Sequence, residues 1–287
     1  MKPCVIVLNY FGHSDTIDCI KRLLDQDVGK IIIVENSADP SEEKTLRVFF
    51  SACPAVEVLA TGNNLGFAGG VNFALKQMLP LGFQEFIILN NDTLPASDLV
   101  VKIIDSAESR SLDLASPIIF RYPEKDILWS KGNYYNRWTG MVFTRSVAFL
   151  PGDFFYLTGC CLYVHRRVFD AIGMLDESFF MYGEDVEFCH RATLKGFSLG
   201  VVEGINLYHK TGSSKHNRSL FYEYQVNRAH FLLAEKLAEE DSSRKIATCS
   251  KIFFLSIRAL IRSVRYRNFD AIKGYIKAIN QTLSISH

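Results

Sequence analysis

The sequence predicts an α/β fold in which a mostly parallel sheet is flanked by helices and followed by a C-terminal helical extension. Two observations lead to this prediction. Short runs of Val, Ile and Leu recur through the first ninety residues without polar alternation, and segments with apolar residues at helical spacing separate them. Strands that are apolar on both faces and alternate with amphipathic helices are typical of a parallel sheet covered on both sides.

Four strands are predicted before residue 91 from their length and their β-branched content. They cover residues 4–8, 31–34, 56–60 and 86–89. Three amphipathic helices are predicted in the same half of the chain, and Ser14 or Asp15 caps the first while Ser97 caps the third. Their apolar stripes are Ile17, Ile20, Leu23 and Leu24 in the first, Val71, Ala74, Leu75 and Met78 in the second, and Leu99, Val100, Ile103, Ile104 and Ala107 in the third.

The second half of the chain mixes irregular and helical stretches. Residues 120–157 are rich in aromatic residues, Gly and Pro, and we expect loops there with a short hairpin. From about Phe221 the chain is predicted to be mostly helical. The elements predicted in between are a helix over Arg166–Ile172 that stops at Gly173, a helix that begins near 183–185 and ends at Gly196, and short strands over 197–203 and 205–208.

These patterns divide the chain into two predicted parts. The first is a domain over residues 1–215, with one half over about 1–95 and another over about 96–215. The second is a helical extension over residues 216–287. No internal repeat and no low-complexity linker interrupts this organisation.

Charge is distributed unevenly along the chain. The net charge is +1, but from Arg244 onward nine Lys or Arg residues face a single acid, Asp270. These basic residues lie in a helical segment without a recognisable reading motif, which argues against nucleic-acid binding. The first strand begins directly after Met1, so we expect no signal peptide, and no apolar run reaches the ~20 residues needed to span a bilayer. Seven cysteines without paired or zinc-like spacing favour a reduced, cytoplasmic compartment.

Polar clusters follow three of the predicted strands. They are Asn9-Tyr10, Glu35-Asn36-Ser37 and Asn90-Asn91-Asp92. In open parallel sheets ligands collect beyond the carboxyl ends of the strands, so these clusters are candidate site residues. Each cluster alone is equally compatible with ordinary turn chemistry.

The cluster around Asp92 has the ligand chemistry of a metal site. Carboxylate and amide oxygens suit Mg²⁺ or Mn²⁺, which could bridge a diphosphate and stabilise it as it leaves. An Asx turn before Pro95 is the structural alternative. His209, which follows a later strand, is a possible further ligand, although a single histidine is more often structural.

Two further motifs could contribute to a site. Residues 62–72 are glycine-rich and precede a helix, so their backbone could approach an anion, but they match neither the dinucleotide fingerprint nor the P-loop. Glu184, Asp185 and Glu187 lie in the first turn of a predicted helix. They could simply complement the helix dipole, and Glu187 could pair with Arg191, or the dipole could keep one carboxylate ionised as a general base.

Taken in order, these motifs resemble glycosyltransferase family 2, especially its bacterial rhamnosyltransferase-like members with the Rossmann-like GT-A fold. The resemblance spans roughly residues 4–214 and is specific as a set, although each motif alone is weak. The stretches that carry it are VIVLNYFGHSDTIDCIKRL, IIIVENSADPS, TGNNLGFAGGVNFAL, FIILNNDTLP, TGCCLYVHRRVFDAIGMLDESFFMYGEDVEFCHRATLKGF and LYHKTGSS.

The resemblance implies a role for each matched residue. Asp185, the second acid of the family's Glu-Asp pair, corresponds to the general base, with Glu184 in reserve. Asn90 and Asp92 correspond to the outer positions of the D-x-D metal motif, and His209 corresponds to a histidine that joins the metal in several members. The residues assigned to the nucleotide sugar are Asn9, Glu35, Asn36, Asn64, Gly66, Asn72, Asn90, Asn91, Thr158 and Gly159.

The chain departs from the family pattern at two positions. Glu35 stands where the family usually has Asp, which could alter the contact with the nucleotide base. Asn90 replaces the first Asp of D-x-D, so a single carboxylate remains and metal affinity could be modest.

The resemblance implies an inverting, metal-dependent glycosyltransferase. The implied donor is a nucleotide-diphosphate sugar, with deoxythymidine diphosphate-rhamnose as the leading choice. The implied acceptor is a saccharide, a lipid-linked glycan in the synthesis of a bacterial surface polysaccharide such as O-antigen. Four aromatic residues of the irregular region could stack on acceptor sugars or belong to the core, namely Trp129, Tyr134, Tyr135 and Trp138.

The segment Lys251–Arg265 is predicted to form an amphipathic helix. Its cations share one face and its apolar residues share the other. Three interpretations are open: a helix packed on the domain with a solvated basic face, an interfacial helix on anionic lipid at the inner face of the cytoplasmic membrane, and a homodimer interface.

Two other functions share this fold. A sugar nucleotidyltransferase should carry a glycine-rich loop with Arg and Lys directly after the first strand, and residues 9–12 do not supply one. A non-catalytic carbohydrate-binding protein could keep the scaffold after losing activity. The retained Asp92, Asp185 and His209 argue against that alternative.

Overall fold

The structure, a computed structural model, describes residues 2–144, 150–210 and 219–285. The strands are β1 (Cys4–Asn9), β2 (Lys30–Glu35), β3 (Val56–Ala60), β4 (Glu85–Asn90), β5 (Thr93–Leu94), β6 (Leu114–Arg121), β7 (Leu128–Ser130), β8 (Asn133–Asn136), β9 (Val142–Phe143), β10 (Asp153–Tyr156), β11 (Cys161–His165) and β12 (Leu199–His209). The α-helices are α1 (His13–Lys21), α2 (Pro40–Phe49), α3 (Gly66–Met78), α4 (Leu99–Ser109), α5 (Arg166–Ile172), α6 (Glu184–Leu194), α7 (Leu220–Lys236), α8 (Asp241–Tyr266) and α9 (Asp270–Ile285).

One large sheet organises the molecule, with strand order β3-β2-β1-β4-β11-β6-β12-β5 and with β7 paired to β6. The first four strands in this order are parallel, as predicted. Strand β11 is antiparallel to both β4 and β6, whereas β12 runs parallel to β6. The second half of the sheet is therefore mixed, and the chain segment that enters β11 lies beside the carboxyl end of β4.

Alternate residues of the central strands are buried on opposite faces of the sheet. Cys4 and Ile6 pack in a core with helices α3, α5, α6 and α7, whereas Val5 and Val7 pack in a second core with α1, α2 and α4. Burial on both faces explains the absence of polar alternation in the sequence. Each fully buried aliphatic side chain contributes roughly 1.5–3 kcal/mol relative to an exposed one.

The predicted elements are largely confirmed, but several boundaries were wrong. Helix α1 begins after Gly12 and α4 after Asp98, and no side chain caps either of them, so the predicted caps at Ser14, Asp15 and Ser97 do not form. The strands predicted over 197–203 and 205–208 are one strand, β12, with an irregularity after Val202.

Helix α2 was missed by the sequence analysis. Its start is nevertheless encoded locally, because the Asp39 side chain accepts hydrogen bonds from the backbone N–H groups of Ser41 and Glu42, and Pro40 occupies the first turn.

The region predicted to be irregular is more ordered than expected. A three-stranded antiparallel sheet of order β10-β8-β9 lies within it. Tyr135 is buried, and its hydroxyl lies 3.1 Å from Nδ1 of His230 on α7. Tyr135 is therefore a core residue and not a contact for sugars.

The last three helices pack on the domain through α7. Ala229, Leu233 and Leu237 join the core that also holds α3 and α6, and α8 and α9 both contact α7. No helix among the described residues is long and apolar enough to cross a membrane.

Helix α8 turns three of its cations toward the protein, whereas one of the three interpretations of its sequence placed the basic face in solvent. Lys251 is buried and donates to the carbonyl oxygen of His230 at 3.0 Å, with its ammonium over the Tyr135 ring. Burial lowers the pKa of Lys251 to about 7. Arg258 and Arg262 donate to the buried carboxylate of Glu223 on α7 at 2.9 and 2.5 Å. The cationic face is thus turned inward, and the apolar face is turned to solvent.

We expect Glu223→Gln to destabilise the protein by about 3 kcal/mol, because it leaves two half-buried guanidinium groups without their counter-charge. The measurement is the free energy of unfolding in urea, with α8 helicity followed by circular dichroism. The matched control is Glu43→Gln, which removes an exposed pair with Arg47 and should cost less than about 0.5 kcal/mol. Equal losses in the two variants would contradict the structural importance of Glu223.

Candidate functional site

The carboxyl ends of β1 and β2 are joined by a buried amide. The Asn9 Nδ2 atom lies 3.0 Å from Glu42 Oε2 and 3.5 Å from Glu35 Oε1, and its Oδ1 accepts a hydrogen bond of 2.7 Å from the Thr16 hydroxyl. Asn9 is fully buried. It therefore positions the strand ends instead of lining an open pocket.

Glu42 of α2 completes this network, and the sequence analysis did not identify it. Its carboxylate accepts from the backbone N–H of His13 at 3.1 Å and lies 2.6 Å from His13 Nδ1. Burial alone would raise the pKa of Glu42, but the hydrogen bonds from His13 and Asn9 outweigh it and lower the pKa. The Asp39-Pro40 start signal could have revealed this residue, since it places Glu42 in the first turn of a helix.

Glu35, like Asn9, is turned inward. Its Oε1 accepts from the backbone N–H of Ser37 at 2.8 Å and from the Ser37 hydroxyl. The Ser37 hydroxyl oxygen also accepts from the backbone N–H of Phe11, which has a left-handed φ of 49°. Tyr10 and Phe11 are the exposed groups here, with ring centroids 4.9 Å apart. The accessible surface beyond β1 is therefore aromatic.

Asn36 holds the glycine-rich loop in place. Its Oδ1 accepts from the backbone N–H of Leu65 at 3.0 Å, and its Nδ2 donates to the carbonyl of Gly66 at 3.0 Å. The Asn64 Oδ1 accepts from the Gly66 N–H at 3.0 Å, and the Phe67 N–H donates to the carbonyl of Phe180 at 2.7 Å. These N–H groups already have partners, which weakens the expectation that they bind an anion.

The glycine at the start of α3 permits a close contact between two loops. A Cβ atom at Gly66 would lie 2.2 Å from the carbonyl oxygen of Phe180, and Gly66 has a φ of 73°. The backbone of α3 can therefore approach the segment that leads into α6.

Asn72, which the resemblance assigned to the nucleotide sugar, is occupied by contacts within the protein. The side chain is buried, and its amide donates to the Leu175 carbonyl at 2.8 Å and to Glu177 Oε1 at 3.0 Å. Its Oδ1 accepts from the Leu175 N–H at 3.2 Å. Asn72 thus ties α3 to the loop before α6, and a direct contact with a nucleotide is not available to it.

The three residues at the end of β4 have different surroundings. The backbone N–H of Asn90 donates to the carbonyl of Cys160 at 2.9 Å. The Asn91 amide is directed at α1, where it donates to the Thr16 hydroxyl at 3.0 Å. Asp92 is partly exposed. The Asn91 side chain is therefore held by α1, and Asp92 is the partly exposed side chain at the end of β4 that could contact a ligand.

Asp92 and His209 form a pair. Asp92 Oδ1 lies 3.1 Å from His209 Nε2, and the Trp129 ring packs against the imidazole at a centroid distance of 4.7 Å. Among the described residues, Asp92 Oδ1 and His209 Nδ1 are buried atoms without a hydrogen-bond partner. No group of three or more His, Cys, Asp or Glu side chains within the described part of the chain could hold a metal by itself.

The segment before α6 is conformationally restricted. Tyr182 and Gly183 have φ values of 68° and 89°, and this sharp turn starts the helix at Glu184.

The backbone N–H of Gly159 donates to Asp185 Oδ2 at 3.0 Å. Burial raises the pKa of Asp185, although the hydrogen bond from Gly159 opposes this effect. Burial, together with the charge of Asp185, raises the pKa of Glu184 well above its usual range.

Residues 158–160 connect the end of β4 to the start of α6. The carbonyl of Cys160 accepts a hydrogen bond from the backbone N–H of Asn90 in β4, and the backbone N–H of Gly159 donates to Asp185 in α6. Burial raises the pKa of the Cys160 thiol, and the charges of Asp92 and Asp185 raise it further. Residues 159–160 are therefore hydrogen-bonded both to Asn90, two residues before Asp92, and to Asp185.

A family model and several curated proteins match this chain. The model, described as Glycosyl transferase family group 2, matches residues 86–232, just over half of the chain. The low-salt glycan biosynthesis hexosyltransferase of Haloferax volcanii is 25% identical over 71% of this chain, and the match spans 66% of that protein, just under two thirds. The dTDP-rhamnosyl transferase of Shigella flexneri is 21% identical over 72% of this chain and 68% of its own length.

A third relative is the N-acetylglucosaminyl-diphospho-decaprenol L-rhamnosyltransferase of Mycobacterium tuberculosis, which is 24% identical over 64% of this chain and 67% of its own length.

Solved structures are similar at the level of the fold. A mannosyltransferase from Pyrobaculum calidifontis, in complex with GDP-Man and Mn²⁺, has a TM-score of 0.61 at 13% identity and covers 98% of this chain and 87% of its own. TarS from S. aureus, in complex with UDP-GlcNAc, has a TM-score of 0.60 at 16% identity, with 98% and 80% coverage.

We expect Gly66→Ala to destabilise the protein more than Gly62→Ala. Both glycines have a φ of 73°, so alanine is strained by about 1 kcal/mol at each position. Only at Gly66 does the new methyl group also collide with backbone, which adds on the order of 1–3 kcal/mol. Melting temperatures of the two variants measure the difference. Equal melting temperatures would contradict the close contact with Phe180.

Proposed function

The chain belongs to glycosyl transferase family group 2 and has the GT-A fold that its sequence predicted, and we propose that it transfers a sugar from a nucleotide-diphosphate donor to a saccharide with inversion at the anomeric carbon. The observation that supports this proposal best is the position of Asp185. Its carboxylate accepts a hydrogen bond from Gly159, and the neighbouring Cys160 carbonyl accepts one from Asn90, two residues before Asp92.

Asp185 is the proposed general base. The acceptor hydroxyl gives its proton to Asp185 while its oxygen forms a bond to the anomeric carbon, and the bond from that carbon to the nucleoside diphosphate breaks. Burial raises the proton affinity of Asp185, which makes it a stronger base than an exposed aspartate. The hydrogen bond from Gly159 fixes the orientation of the carboxylate. Position and proton affinity thus both suit this role.

Glu184 is not an equivalent base. Its carboxyl is buried next to Asp185, and its pKa is raised well above the usual range, so it stays protonated when Asp185 is ionised. A neutral Glu184 also spares Asp185 the repulsion of a second negative charge.

The Asp92–His209 pair is the proposed site for Mg²⁺ or Mn²⁺. The buried Asp92 Oδ1 atom makes no hydrogen bond to the described residues and lies 3.1 Å from His209 Nε2, and a metal bound by these two atoms would satisfy this carboxylate oxygen. Two protein ligands suit a cation whose other positions are taken by water and phosphate oxygens. When bound, such a cation stabilises the charge of the diphosphate leaving group. The Asn90 side chain, at the end of β4, is the proposed third contact.

The proposed donor is deoxythymidine diphosphate-rhamnose, and the proposed acceptor is a lipid-linked glycan in the synthesis of a bacterial surface polysaccharide. Support comes from two relatives, one called a dTDP-rhamnosyl transferase and the other an L-rhamnosyltransferase of a diphospho-decaprenol-linked sugar. The exposed rings of Tyr10 and Phe11 offer a stacking surface for the nucleotide base.

Incubation with a panel of nucleotide sugars, with release of nucleoside diphosphate as readout, tests the donor. Release from none of the donors, by folded protein with Mn²⁺, would contradict the proposed activity.

We expect Asp185→Asn to lower kcat by about 10²–10⁴, because the amide cannot accept the proton. The matched variant Glu184→Gln should keep most of the activity, since it replaces a neutral acid by a neutral amide of the same shape. Initial rates at saturating donor measure both variants, and circular dichroism verifies their fold. A large loss of kcat in Glu184→Gln, together with an active Asp185→Asn, would show that Glu184 and not Asp185 is the general base.

We expect chelation with EDTA to abolish transfer, and Mn²⁺ or Mg²⁺ to restore it. Asp92→Asn should raise the metal concentration needed for half-maximal rate by at least about tenfold, because it removes the only carboxylate at the end of β4. The control is Asp18→Asn, which alters an exposed acid near Lys210 without touching the pair. Full turnover after exhaustive chelation would contradict a metal at Asp92.

A further inference from the structure

The solvent side of α8 is a continuous apolar surface, which we call the α8 apolar face. Between Ile246 and Val264 the only charged residues are Lys251, Arg258 and Arg262, and all three are directed at α7. The large side chains of the face and their exposed fractions are Ile246 (60%), Phe253 (60%), Phe254 (39%), Ile257 (39%), Leu260 (57%), Ile261 (59%) and Val264 (80%). An apolar surface of this extent on a polar domain marks an interaction site.

The C-terminal end of the α8 apolar face is basic, because Arg265 and Arg267 are exposed where α8 ends. At the other end Lys245 is exposed, but Glu239, Glu240 and Asp241 are exposed beside it and Arg244 pairs with Asp241 at 2.8 Å. An apolar strip with a basic end complements a surface that is apolar inside and anionic outside.

A parallel pair of copies fits this pattern poorly. The two basic C-terminal ends of α8 would then meet, and like charges brought together in this way oppose association.

We propose that α8 lies flat on an anionic lipid bilayer, with its apolar face at the boundary between headgroups and acyl chains. The flanking cations contact the lipid phosphates. At 26 residues the helix is about 39 Å long, so it can spread over several lipids. The inward cationic face distinguishes this arrangement from an ordinary amphipathic helix, because Glu223 and not lipid neutralises Arg258 and Arg262.

The end of α8 also leads back to the proposed active site. The Arg262 guanidinium lies 5.5 Å from the centroid of the Tyr222 ring, and the Tyr222 and Tyr182 rings are 5.5 Å apart. Tyr182 precedes the acidic helix start by two residues. A membrane under α8 would therefore hold a lipid-linked acceptor close to Asp185. This link to the acceptor rests on the proposed function, whereas the membrane contact itself does not.

The test is flotation of the full chain with vesicles of 70% phosphatidylcholine and 30% phosphatidylglycerol, against vesicles of phosphatidylcholine alone. The wild-type chain should float with the anionic vesicles and bind the neutral ones at least tenfold more weakly. Phe253→Ser with Leu260→Ser should lower binding to anionic vesicles at least tenfold. Serine removes apolar surface without adding a charge that anionic lipid would repel.

Two control variants separate the contributions. Val48→Ser with Leu194→Ser removes equally exposed apolar side chains from α2 and α6, and binding should stay at the wild-type level. Lys245→Gln with Arg265→Gln should weaken binding by about fivefold per cation. Circular dichroism and melting temperature verify that each variant folds, which we expect because the altered side chains are exposed.

Three outcomes would overturn the inference. They are a wild-type chain that does not float, a Phe253→Ser, Leu260→Ser variant that floats like the wild type, and a wild-type dimer that this variant converts to a monomer. Vesicle binding needs no turnover. Its absence from an enzyme that releases nucleoside diphosphate would refute the membrane contact alone, whereas binding without any release would count against the proposed function alone.

Discussion

The insertion of β11 between β4 and β6 is the constraint on which the candidate site depends. An antiparallel strand at this position must enter the sheet beside the carboxyl end of β4, so residues 158–160 lie against Asn90. The same segment presents the Gly159 N–H to Asp185 at the start of α6. This segment therefore joins the end of β4, two residues before Asp92, to Asp185, about ninety residues later in the sequence. In an all-parallel sheet β11 would enter at the other edge, and these two hydrogen bonds would not form.

Buried amides give this arrangement its rigidity. Asn9, Asn36 and Asn72 each make three or more hydrogen bonds or close polar contacts to backbone or side chains of other elements. Burying an amide without partners is costly, so each of these residues fixes its neighbours in one geometry. The sequence motifs suggested ligand contacts, whereas these asparagines make hydrogen bonds within the protein. Among the candidate site residues Asn64 is exposed and Asp92 is partly exposed, and the aromatic pair Tyr10 and Phe11 is exposed after β1.

The C-terminal helices reverse the usual distribution of polarity. Glu223 is buried on α7 and requires positive charge, so α8 turns Arg258 and Arg262 inward and exposes its apolar side chains. Helical periodicity identified both faces of α8 correctly, but it could not show which face meets the protein. A buried acid on another helix favours the observed orientation, because its carboxylate requires a counter-charge.

The sequence by itself determined the fold class, the parallel strands of the first half, most of the helices and the family. These features follow from local periodicity and from motifs of adjacent residues, which a single chain segment displays. Only the tertiary structure decided that Asn72 ties α3 to the loop before α6, that Glu42 joins the strand-end network and that β11 makes the sheet mixed. Each of these depends on contacts between residues far apart in the chain, and local patterns contain no information on which distant groups will meet.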